Sequence, residues 1–148
     1  MNLLSIQGVS RTFTSHKGAS TKALLPVDFE VRENDFVTIL GPSGCGKSTM
    51  LRIVAGLDFP TTGQVLLDGQ VVDGPGADRG MVFQSYTLFP WLTVAQNIRF
   101  GLREKGVAEA VQKERSDYFI AKVGLRGFEN HFPKQLSGGM QQRTAIAR

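Results

Sequence analysis

A short apolar run, Phe36-Val37-Thr38-Ile39-Leu40, passes directly into Gly41-Pro42-Ser43-Gly44-Cys45-Gly46-Lys47-Ser48, and a helical pattern follows from Ser48 to Ala55. The pattern G-x-x-x-x-G-K-S between a strand and a helix constrains the fold more than any other feature of the chain. Glycines let backbone N–H groups turn inward and line a concavity for an anion. A helix starting near Lys47 adds unpaired amides and the positive end of its dipole. Lys47 is then expected to reach the β- and γ-phosphates of a nucleoside triphosphate, Ser48 to coordinate Mg²⁺, and Thr49 to touch the α-phosphate. Gly41, Pro42, Ser43, Gly44, Cys45 and Gly46 form the cradle around them. Cys45 should react with thiol reagents and be shielded by bound ATP.

Composition narrows the partners. The chain has 148 residues, near the usual size of one domain, so it can bury a core of its own. Its single cysteine excludes an internal disulfide and fits a reducing compartment. The net charge of +4 is spread over scattered Lys and Arg residues with no basic run, so nucleic acid is not expected as a partner. No apolar run approaches the roughly 20 residues that span a bilayer, and Met1 to Ser5 lacks the pattern of a signal peptide. A membrane would be met through a partner protein.

Alternation and β-branched residues predict strands at Leu4–Phe13, Val27–Val31, Phe36–Leu40 and Gln64–Leu67, with a further buried strand at Gly80–Phe83. Asn34-Asp35, Pro60 to Gly63 and Asp68-Gly69 read as turns, and Ser15 to Thr21 as a mobile loop. Gly56 is placed to end the helix after the phosphate loop. From Val94 onward the pattern turns helical, with candidates at Val94–Arg103, Val107–Val123 and Gly139–Arg148. Pro90 marks the change of character. The expected organisation is a β-rich, phosphate-binding part over residues 1–86 and a helical part over 87–148.

Leu136-Ser137-Gly138-Gly139-Met140-Gln141-Gln142-Arg143 is the second strong signal. Ser137 can cap a helix that begins at the two glycines, making another helix end attractive to anions. Together with the phosphate loop, this run resembles the signature motif of the ABC ATPase family, with Met140 where glutamine is commonest. The resemblance implies that Ser137, Gly138, Gly139 and Gln141 bind the γ-phosphate of ATP held by a second ATPase subunit in a head-to-tail dimer. Met81-Val82-Phe83-Gln84 is similar to the family's Q-loop strand, which implies that Gln84 contacts Mg²⁺ and the attacking water in catalysis. Phe13 matches the family's aromatic position for adenine; stacking of this kind is worth about 1–3 kcal/mol per base.

Pro75-Gly76-Ala77-Asp78-Arg79 and Leu88-Phe89-Pro90-Trp91-Leu92-Thr93-Val94 look like the bacterial importer ATPases for nitrate, sulfonates and taurine. The resemblance implies an energy-coupling subunit at the cytoplasmic face of the inner membrane, bound peripherally to transmembrane permease subunits. Phe89, Pro90 and Trp91 would receive a permease helix, or Trp91 would anchor the helical part to the core. A soluble ABC-type ATPase outside transport is the alternative.

The implied fold is α/β: a P-loop NTPase core with an N-terminal antiparallel β region and a helical subdomain, its C-terminal core strands missing. In the family, an Asp-Glu pair follows the signature helix, and a histidine follows later. No Asp or Glu occurs after Glu129, and His16 and His131 both precede the signature run. Hydrolysis is therefore expected to be severely reduced or absent while the phosphates are still gripped, and a truncated nucleotide-binding fragment without hydrolysis is a further alternative to the importer subunit.

Overall fold

The computed structural model describes residues 2–15 and 18–148. The chain divides into two compact units, Met1–Met81 and Val82–Arg148.

In the first unit, β1 (Asn2–Thr14), β2 (Ser20–Arg32), β3 (Thr62–Leu67) and β4 (Gln70–Val71) form an antiparallel sheet in the order β2-β1-β3-β4. Asp68 and Gly69, both at positive φ, make the two-residue hairpin between β3 and β4. The Asn34-Asp35 turn is closed by hydrogen bonds from Asp35 N to Arg32 O and from Arg32 N to the Asp35 carboxylate. Helix α1 (Lys47–Val54) lays Met50 and Ile53, three residues apart and therefore on one face, against Ile6, Val9, Leu24 and Val65. Each such side chain contributes about 1.5–3 kcal/mol on burial. At its end, Gly56 N bonds to Ile53 O and Leu57 N to Arg52 O, the paired closure that a left-handed glycine permits.

Two expected strands do not form. Phe36–Leu40 and Gly80–Phe83 lie outside the sheet, and Phe36 is 96% exposed. A strand is defined by the neighbour that accepts and donates along its ladder, and none of the described residues pairs with either segment. Strand β2 also begins earlier than Val27, because the register Phe13↔Thr21 and Thr14↔Ser20 carries the pairing up to the turn. Ser15 N closes that turn onto Ala19 O at 2.8 Å. Residues 16 and 17 of the expected loop, His16 included, lie outside the described residues.

The second unit is helical: α2 (Val94–Glu104), α3 (Glu109–Lys122), a 3-10 turn at Pro133–Gln135 and α4 (Gly138–Ala147). Thr93 and Gln96 form a reciprocal capping box at the start of α2. Val94, Ala95, Ile98, Ile120, Leu125 and Leu136 form its core.

Candidate functional site

The run Gly41 to Gly46 arches over the start of α1. Gly46 occupies the N-cap position at φ 96°, and no side chain caps the helix there. The amides of the first turn are therefore free for an external anion. A Cβ on Gly46 would overlap the carbonyl oxygen of Ala23, so both the conformation and the space demand glycine. The Lys47 ammonium donates to Gly41 O and Pro42 O, each at 2.7 Å, and holds a positive charge over the loop. A cavity of about 160 Å³ lies here, lined by Ala23, Gly44, Gly46, Lys47, Ser48 and Thr49. A cation, hydroxyls and backbone amides around one hollow suit a polyphosphate. Cys45 is exposed, with its Sγ 3.7 Å from the Lys47 Nζ.

Among the described residues no group of three or more His, Cys, Asp or Glu side chains could hold a metal. The Ser48 and Thr49 hydroxyls are the side-chain oxygens among the residues lining this hollow, and so few protein ligands fit Mg²⁺ of the kind held largely by phosphate oxygens and water.

Phe13 stands opposite Thr21, two residues along β2 from the Ala23 carbonyl that abuts Gly46, a spacing of roughly 7 Å along the strand. The ring is 44% exposed, so Phe13 is not a core residue. The Arg11 guanidinium covers one face of it, 4.5 Å from the ring centroid, and pairs with Asp58 at 2.7 Å. Strand periodicity puts Arg11 and Phe13 on one side of β1. Asp58, 47 positions from Arg11 in sequence, carried no local signal.

In the second unit Gln84 is exposed and lies in a bend. The segment after it is held by groups that sequence reasoning missed. Asn97 is fully buried; its Oδ1 accepts from Phe89 N, and its Nδ2 donates to the carbonyls of Phe89, Leu92 and Thr93. Asn97→Ala would leave these groups unpaired in the interior and is expected to lower stability by about 2–4 kcal/mol, read from urea unfolding. A loss no greater than that of an exposed cap, about 1 kcal/mol, would show that the segment does not depend on it. Arg148 donates to Thr87 O at 2.7 Å and to Thr87 Oγ1 at 3.2 Å; burial pushes its guanidinium down from the ordinary value. Phe89 packs on Phe100 at 4.4 Å between ring centroids and on Trp91 at 5.6 Å, while Trp91 stays 69% exposed.

Ser137 caps α4, its Oγ accepting from Met140 N at 3.3 Å. The Tyr86 hydroxyl sits 2.9 Å from where a Cβ on Gly138 would fall, while Gly139 faces open space. Gln141 turns back on its own turn, its Nε2 donating to Pro133 O and Leu136 O. The signature run thus presents a helix start that, unlike that of α1, is capped by a side chain, with two glycines at its first positions.

Residues 24–148 match the family model described as ABC transporter. The chain is 57% identical over 145 residues to an uncharacterized ABC transporter ATP-binding protein of Methanocaldococcus jannaschii, covering 98% of this chain and 54% of that protein. It is 49% identical to a nitrate import ATP-binding protein of Synechocystis, again over 98% of this chain and 54% of the relative. A taurine import ATP-binding protein of Pelagibacter ubique is 47% identical over the whole chain and 56% of its own length. The chain spans about half the length of these curated relatives. Among solved structures, an ATP-binding cassette in a dimeric post-hydrolysis state bound to ADP and Pi superposes with a TM-score of 0.86 at 36% identity, covering 97% of this chain and 67% of that one. With the phosphate loop, the capped signature helix and this match in agreement, the chain belongs to the ABC transporter family.

Proposed function

We propose that the chain forms the ATP-binding part of the energy-coupling subunit of an ABC importer for nitrate, sulfonate or taurine-like solutes. The observation that carries this reading is the Lys47 ammonium held over the uncapped start of α1. In the proposed site, Gly41 to Thr49 cradle the phosphates, Ser48 serves Mg²⁺, and Phe13 stacks on adenine. Gln84 takes the role that its resemblance to the family's Q-loop implies. Mg²⁺ supplies charge neutralisation between the phosphate oxygens when it is bound. Ser137, Gly138 and Gly139 act on the nucleotide of a second ATPase subunit, and Gln141 supports them by fixing the turn before Ser137. Trp91, exposed beside Phe89 and Pro90, fits a permease contact. No helix among the described residues is long and apolar enough to cross a membrane, and a peripheral place on the cytoplasmic face goes with the importer reading.

Cys45 provides the test, because it is the chain's single cysteine and lies exposed in the loop. A maleimide is expected to label it at least roughly tenfold more slowly with saturating Mg-ATP than without, since protection follows site occupancy. AMP should protect little. Equal labelling rates with and without ATP would remove the nucleotide from this loop.

A further inference from the structure

We infer that Arg11, held by Asp58, is a positioning residue for the base end of the nucleotide: it backs one face of Phe13 so that the other face meets adenine. The inference rests on the adenine role proposed above for Phe13.

Arg11 is tied down from several sides. Its guanidinium reaches the Asp58 carboxylate at 2.7 Å, and both side chains are mostly shielded, at 24% and 17% exposure. Its Nε is buried with no hydrogen-bond partner among the described residues, so that edge of the guanidinium packs rather than bonds. The strand around it is pinned by the segment following Asp58: Thr61 N donates to Ser10 O at 2.7 Å, and Thr61 Oγ1 accepts from Thr12 N at 2.9 Å. The cation therefore sits at a fixed height above the ring, 4.5 Å from its centroid. A half-exposed phenyl ring on a strand would otherwise turn about its side-chain bonds, and ordering it would oppose binding. A guanidinium parked on one face removes that freedom and leaves a single face for a π-system. Asp58 neutralises the cation, so the stack carries no net charge toward the base.

The experiment compares two probes, ATP and inorganic triphosphate, on the whole chain. Triphosphate reports the phosphate cradle alone. Phe13→Ala is expected to weaken ATP by roughly five- to 100-fold and leave triphosphate unchanged. Arg11→Ala should weaken ATP by roughly three- to tenfold, again without touching triphosphate. Asp58→Asn, which keeps the side-chain shape, should shift ATP in the same direction and serves if Arg11→Ala misfolds. Adding Arg11→Ala to Phe13→Ala should change ATP affinity by less than about twofold, because Arg11 acts through the ring. Arg11→Lys should restore only part of the loss, since an ammonium keeps the ion pair but not the planar stack. If Phe13→Ala weakens ATP while Arg11→Ala and Asp58→Asn do not, the positioning role is wrong and the adenine role stands. An Arg11→Ala effect that persists undiminished without the ring, or that falls equally on triphosphate, overturns it as well. If Phe13→Ala itself leaves ATP unaffected, the adenine reading fails and takes this inference with it.

Discussion

Lys47→Ala is expected to weaken ATP binding by roughly 100-fold or more while leaving the fold in place. The magnitude follows from the bonds at stake: hydrogen bonds to charged groups are worth about 1.5–3 kcal/mol each, and the ammonium carries several. Without ligand, those donors are spent on Gly41 O and Pro42 O. The carbonyls lie in an exposed loop and can turn to water when the lysine is gone, so stability should change by less than about 1 kcal/mol. A thermal-shift titration checks both halves. The variant should melt near the wild-type temperature and lose the stabilisation that ATP gives, since that stabilisation scales with occupancy of the native site. An undiminished shift in the variant would mean that the nucleotide binds elsewhere.

Gly46→Ala should abolish binding by a different route. A left-handed conformation costs an L-residue about 1–2 kcal/mol, and here the new methyl also overlaps the Ala23 carbonyl oxygen of β2. Strand and loop must move apart, and the combined loss is expected to reach about 3 kcal/mol or more. Gly44→Ala is the matched comparison. Its φ of 82° is equally left-handed, but no atom lies within 4 Å of the added methyl, so only the conformational part, about 1–2 kcal/mol, should appear. Urea midpoints of the two variants separate strain from overlap. Equal destabilisation would show that contact with β2 does not constrain the loop.

The legible parts of this chain are those whose chemistry is local. The helix after the phosphate loop, the Ser137 cap and the Asp68-Gly69 turn are each fixed by residues a few positions apart, and each forms as the sequence reads. Phe36–Leu40 has the composition of a buried strand, yet composition cannot supply the neighbour that a ladder requires. Val37 to Leu40 instead line an open apolar cavity of about 530 Å³ together with Leu24, Val27, Phe29 and Met50. Gln84 is legible from its register within a motif, while Asn97, which holds the backbone after it, shows only as a polar residue on an apolar helix face. The Arg11–Asp58 pair is invisible because its members meet only once β1 and the end of α1 are folded.

Helix α1 joins two of these features. Lys47 opens it, and Asp58 follows its closing turn. Eight helical residues at 1.5 Å each make a rod of about 12 Å, comparable to an extended nucleotide. In the proposed site this rod acts as a gauge, with the triphosphate grip at one end and the clamp beneath the base at the other. Inserting or deleting a residue would rotate Asp58 by about 100° around the axis as well as displace it. A change in the length of α1 would therefore reach the base end of the proposed site without touching any residue that contacts the nucleotide.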